Sequence, residues 1–391
     1  MLDFNNTEIA FASKSNNDLR NAYILFQAMS SNTVVKAGKG LTQFATGIGF
    51  PLSWAVKPTL YRQFVGGETL NEASRTVGTL MRDGIYSVLD YSAEGGQELS
   101  DVERTYNEVM RSIENAKGNE AIAFTVFKPT GLIVGSVLEV ATLKGAELND
   151  IERAELENFK TRFFALCRRA AENGVRILVD AEHYYCQELF DELTERAMAE
   201  FNKDRVTVFH TLQMYRHDRL DYLKRVHKEA KEMGYKIGIK FVRGAYMEEE
   251  RERAVRMGYI SPICASKEET DINYDNGLRY VVDNIEDIEL FSGTHNYASN
   301  YLLAELINTK RLERGDKRIW FSQLYGMSDN ITYALAKEGF NVCKYIPYAP
   351  VKEVLPYLLR RAEENTSMAG QTGRELGLIR EEMNRRGIRL V

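Results

Sequence analysis

Eight short runs rich in β-branched and aromatic residues, each followed by a longer amphipathic stretch, constrain this chain's fold more tightly than any other feature. They fall at 85–90 (IYSVLD), 121–127 (AIAFTVF), 175–180 (VRILVD), 206–212 (VTVFHTL), 236–242 (KIGIKFV), 288–294 (IELFSGT), 318–323 (RIWFSQ) and 342–347 (VCKYIP). Most are apolar almost throughout, as parallel strands buried on both faces are, and the intervening segments are long enough for crossover helices. Gly174, Gly234 and Gly339 stand where a helix would end just before a strand. Eight strand–helix units in roughly 290 residues predict an α/β protein built as a (β/α)8 TIM barrel. The alternative, an open doubly wound sheet, lacks its fingerprint: no Gly-x-Gly-x-x-Gly follows any run.

The rest of the 391 residues narrows the class further. Residues 1–80 read as a helical arm without strands, and 81–391 as the barrel with a closing helix. A composition 44% hydrophobic and 27% charged excludes a mostly disordered chain, and a net charge of −5 argues against a dedicated nucleic-acid binder. The four cysteines form no Cys-x-x-Cys pair, which fits a reducing, cytoplasmic setting and excludes a thiolate zinc site. Asp180, Glu182 and His183 are too close along one strand to converge on a metal. The most membrane-like stretch, 41–56, is too short to span a bilayer. It is expected to pack on the domain, with peripheral contact at an inner-membrane surface as the alternative.

In a barrel of this kind chemistry sits at the C-terminal ends of the strands. The residues expected there are polar or ionisable: Asp90, Lys128, Asp180 with Glu182, Gln213, Lys240 with Arg243, Thr294-His295-Asn296, Gln323 and Tyr348. Singly, each has a bland use: Lys128 as a solvated loop lysine, Asp180 as a helix cap, His295 as a hydrogen-bonded loop histidine. Together they place three cations at one mouth. After the last run, residues 349–365 predict a helix carrying Tyr357, Arg360, Arg361 and Glu364 on one face, with Pro356 marking a start or kink. Two adjacent arginines beside a tyrosine suit a carboxylate clamp, against the alternative of a solvated face with an Arg360–Glu364 ion pair.

The stretches FVRGAYMEEER from Phe241, GTHN from Gly293, QLYGM from Gln323, YIPYAP from Tyr345 and YLLRRAEEN from Tyr357 together resemble flavin-dependent proline dehydrogenases of the monofunctional type. The resemblance runs from Pro58 to about Thr366. It implies a distorted barrel that holds FAD non-covalently and oxidises L-proline to 1-pyrroline-5-carboxylate, with hydride passing to flavin N5 and electrons onward to a quinone. By motif position, Arg360, Arg361 and Lys128 would bind the substrate carboxylate, and Leu324, Tyr348 and Tyr357 would shape the pocket. Asp180 falls on the family's active-site aspartate. Lys240 takes the place of an arginine that faces flavin N5 in many relatives, and both are expected to be catalytic. Ala181, Gln213, Lys240, Arg243, Gly244, Ala245, Thr294, His295 and Asn296 would contact the cofactor, and Glu94 would pair with the first helix arginine to close the site. A hydroxyproline oxidase of the same family is one alternative, with Tyr348 favouring proline. From another class, a cofactor-free Schiff-base aldolase would use Lys128 or Lys240.

Overall fold

The computed structural model describes residues 2–31, 33–37, 40, 53–92, 98–143, 145–367 and 369–389. Each of the eight runs forms a strand: β1 Tyr86–Tyr91, β2 Ile122–Phe127, β3 Arg176–Val179, β4 Val208–Gln213, β5 Ile237–Val242, β6 Ile288–Gly293, β7 Ile319–Leu324 and β8 Val342–Tyr348. They close in chain order into one parallel barrel, with β8 pairing back onto β1 from Tyr86↔Cys343 to Tyr91↔Tyr348. All three glycine stops take a positive φ, Gly339 at 83°, which only glycine adopts without cost. Gly174 (φ 74°) ends the Asp150–Asn173 helix and Gly234 (φ 73°) the Arg219–Met233 helix.

Alternation along each strand sorts side chains into two cores. Val88, Phe124, Val126, Leu178, Phe209, Phe291, Trp320, Cys343 and Tyr345 fill the barrel. Phe124 sits at their centre, edge-on to Phe209, Phe291 and Trp320 at ring-centroid distances of 5.1, 4.9 and 5.4 Å. Toward the N-terminal ends of the strands, Arg176 lies against Phe124 and Trp320 and pairs with Glu289 at 3.3 Å. That end is plugged, so access is left at the C-terminal mouth. The outward residues join a much larger core shared with the surrounding helices.

The N-terminal segments predicted as an arm belong to that outer core. The Asn16–Met29 helix, opened by a Ser15/Asp18 capping box, packs on the last helix, Ala369–Arg385. Arg386 donates to the Phe11 and Lys14 carbonyls at 2.7 Å each. Phe4 is fully buried between Tyr297 and Tyr301. Nearer the barrel, Gly66 N–H donates to Pro347 O at 2.9 Å, an approach so close that a Cβ there would stand 2.3 Å from the Ile346 side chain.

Candidate active site

Strand parity puts one side chain from nearly every strand into the mouth, and two ion pairs form its floor. Lys128, just past β2, donates to both oxygens of Asp90 on β1 at 2.8 Å each, and Ser92 Oγ holds the same carboxylate at 2.6 Å. Lys240 on β5 donates to Asp180 Oδ1 at 2.5 Å, while Tyr345 on β8 donates its hydroxyl to Asp180 Oδ2 at 2.8 Å. The Lys240 ammonium also lies 4.8 Å from the centre of the Tyr345 ring. Burial raises the Tyr345 phenol far above its usual range, with Asp180 and Asp90 adding to the effect, so it remains a donor. Deeper on β4, Thr211 Oγ1 is buried beside Lys240 with no hydrogen-bond partner among the described residues.

Around this floor lies a second ring. Gln213 donates to the Glu182 carbonyl at 3.0 Å, and Glu182 in turn accepts from the backbone and hydroxyl of Thr130 at 2.9 and 2.7 Å. Arg243 bridges three elements: Nε to Asp271 at 2.8 Å, Nη1 to Thr294 at 2.6 Å and Nη2 to Ser299 at 3.0 Å. Gly244 follows at φ 129°, and a Cβ there would lie 2.5 Å from the Tyr215 ring, so this glycine is demanded by backbone and packing alike. Gly244 and Ala245 are exposed. His295 Nδ1 is 2.9 Å from Ser328 Oγ; burial first, then the Lys344, Arg361 and Arg243 cations, hold the imidazole neutral with a pKa of about 3.

The predicted closing helix forms as Val351–Ser367 with Pro356 inside it. Arg361 is buried with its guanidinium 5.1 Å from the Tyr357 ring centre, and Arg360 lies 5.9 Å from that of Tyr246.

Several expectations shift. Tyr348 does not line the mouth. Tyr345 faces inward, so a residue three positions on faces outward, and Tyr348 is buried in the outer core 5.5 Å from Tyr91. Gln323 likewise points outward, bonded to Thr294 O and Thr332 Oγ1. Asn296 spends its side chain capping the Tyr297–Thr309 helix through Ser299 N. Leu324 sits partly exposed between the two cores, and Ala181 follows Asp180 at the rim. Glu94 lies outside the described residues, as does most of the 41–56 stretch; of that stretch Trp54 is described and is 71% exposed. Among the described residues no helix is long and apolar enough to cross a membrane. Asp90 was expected at the strand ends but not as the partner of Lys128, and Tyr345 was missed, though strand parity carried the signal for it.

A plugged parallel barrel with paired lysines and buried carboxylates gathered at the C-terminal ends of its strands has the form of a (β/α)8 enzyme. The chain belongs to the proline dehydrogenase family, whose sequence profile matches residues 73–374. It is 37% identical to the carbapenem antibiotics biosynthesis protein CarD of Pectobacterium carotovorum over 83% of each chain. It is 29% identical to mitochondrial proline dehydrogenase 1 of Dictyostelium discoideum, covering 98% of this chain and 75% of that one. A hydroxyproline dehydrogenase of Xenopus laevis matches at 29% over 96% of this chain and 88% of its own. Among solved structures, proline utilization A (PutA) of Bdellovibrio bacteriovorus superposes with a TM-score of 0.71 at 20% identity, covering 93% of this chain. The chain spans 38% of that protein's length.

Proposed function

We propose that this protein oxidises L-proline to 1-pyrroline-5-carboxylate with a non-covalent FAD at the barrel mouth, the electrons passing to a quinone. Family membership, joined to the buried Arg361–Tyr357 pair on the helix that follows β8 and to a mouth floored by Lys240, Asp180 and Tyr345, carries this reading. The donor set suits a flavin: Lys240, the orphaned Thr211 hydroxyl and Gln213 offer hydrogen bonds to an acceptor-rich ring, while Arg243 and the exposed Gly244-Ala245 backbone suit a phosphate arm. Bound there, FAD supplies the hydride acceptor. The chain's own residues do the rest. Arg360 and Arg361 fix the substrate carboxylate, Lys240 and Tyr345 hold Asp180 in place, and the buried mouth excludes water from the reacting carbon. The test is direct: purified protein should be yellow, and anaerobic L-proline should bleach its flavin spectrum. A colourless protein that binds no FAD would overturn the reading, and borohydride trapping of a lysine with a carbonyl substrate would favour an aldolase.

The 29% identity to a hydroxyproline dehydrogenase over 96% of this chain supports a second reading, hydroxyproline oxidation, although Tyr345 places a tyrosine ring in the mouth. Comparing kcat/KM for proline and 4-hydroxyproline separates the two.

A further inference from the structure

Behind His295 lies a buried chain of groups that the proposed chemistry does not use. Ser328 precedes the Asp329–Lys337 helix in a left-handed conformation, φ 50° and ψ 43°, which is strained for a residue with a Cβ. Its hydroxyl faces His295 Nδ1, and its backbone N–H donates to Glu375 Oε1 at 2.5 Å. The Ser328 backbone and side chain both stabilise the Glu375 carboxylate against the effect of burial. Glu375 comes from the Ala369–Arg385 helix and is 6% exposed. His295, Tyr297, Ser328, Arg374 and Glu375 line a cleft there.

We infer that Glu375, acting through the Ser328 hydroxyl, decides which nitrogen of His295 carries the ring proton, and so whether the mouth is offered a donor or an acceptor at Nε2. The polarity follows from the lone pairs. When Glu375 is ionised, it accepts the Ser328 O–H; the Ser328 oxygen then accepts from Nδ1–H, and Nε2 is a bare acceptor. When Glu375 is protonated, the hydroxyl is released to donate to Nδ1, and Nε2 carries the proton. His295 stays neutral in both states.

The groups facing Glu375 place this exchange near neutrality. Burial is the largest influence and Asp329 adds repulsion, while Lys344 and the Ser328 bonds oppose them, leaving the carboxyl at about 7. Asp329 is itself held by Lys344 at 2.8 Å and Lys14 at 3.2 Å, and Arg374 lies over the Tyr297 ring at 4.0 Å, so these charges are engaged. The inference deepens the proposed cofactor site and rests on it only for what His295 touches.

The experiment follows ¹⁵N-histidine shifts of the full chain from pH 5.5 to 8.5. The Nδ1 and Nε2 resonances of His295 should exchange character across neutrality without both moving to imidazolium values. Glu375→Gln should make the pattern independent of pH. Ser328→Gly keeps the backbone at ease with positive φ, deletes the hydroxyl and should uncouple His295 from Glu375. The affinity of apoprotein for FAD, read by flavin fluorescence, should change about threefold to tenfold over the same pH range in the wild type and stay flat in Glu375→Gln. A His295 tautomer indifferent to pH and to Glu375→Gln would overturn the inference. Absence of FAD binding at any pH, with the tautomer exchange intact, would instead overturn the proposed function.

Discussion

At the residue scale, Asp180 is defined by its two partners rather than by itself. Lys240 compensates its charge and Tyr345 fixes its second oxygen, so the carboxylate cannot rotate without breaking one of two bonds. Tyr345→Phe deletes one of them and leaves the ring over Lys240 in place. We expect kcat to fall about tenfold with flavin content unchanged, the usual size for losing a hydrogen bond to a charged group. A loss of bound flavin of similar size would mark Tyr345 as a cofactor residue. Arg361→Met should raise KM for proline far more than it lowers flavin content, measured by steady-state kinetics beside the flavin-to-protein absorbance ratio. Equal loss of flavin would make Arg361 a folding or cofactor residue, since its guanidinium also covers Tyr357.

At the scale of elements, the barrel was open to reading because buried parallel strands write themselves as apolar runs and glycine stops mark the helix ends before them. All eight runs lie within two residues of the observed strands. Which face each residue took was harder. Tyr345 and Tyr348 are three apart on one strand, so they take opposite faces, and an error of one position in parity moves the wrong ring into the mouth. Motif position pointed to Tyr348; the interior cluster contains Tyr345. Asn296 and Gln323 show another limit, for a polar residue at a strand end serves a helix cap or a backbone carbonyl as readily as a ligand. The Glu375–Ser328–His295 chain was illegible because its members are far apart in sequence and meet only after the last helix docks. Gly244 was read as a cofactor contact, and what the structure shows of it is a packing requirement against Tyr215. Gly244→Ala should therefore cost stability on the order of 2–4 kcal/mol in denaturant unfolding, even in flavin-free protein.

At the scale of the whole molecule, buried charges from distant parts of the chain tie stability to pH. Glu375, raised from 4.5 to about 7, contributes stability that is complete below pH 4.5 and lost as pH rises through 7. His295, lowered from 6.5 to about 3, and Asp329, lowered from 3.8 to about 2, work the other way: theirs is present at higher pH and lost as pH falls toward those values. The opposing slopes give a maximum in the weakly acidic range. Glu375→Gln removes the alkaline arm while keeping an acceptor for Ser328 N–H. Its unfolding temperature relative to wild type should therefore climb between pH 5 and pH 8; a constant difference would show that Glu375 does not titrate in that window.

The meeting of the outer segments has a topological consequence. Arg20 Nε reaches the Arg389 carbonyl at 3.3 Å, and Arg386 grips the carbonyls of Phe11 and Lys14, so the polypeptide runs almost as a ring. A ring has no privileged place to be cut. Splicing the two ends with a short flexible linker and opening the chain at the exposed 145–147 loop should give a circular permutant that keeps the barrel's closure and the proposed flavin site. Visible absorbance of the purified permutant would report whether the order of synthesis matters to this fold, or only the order of neighbours.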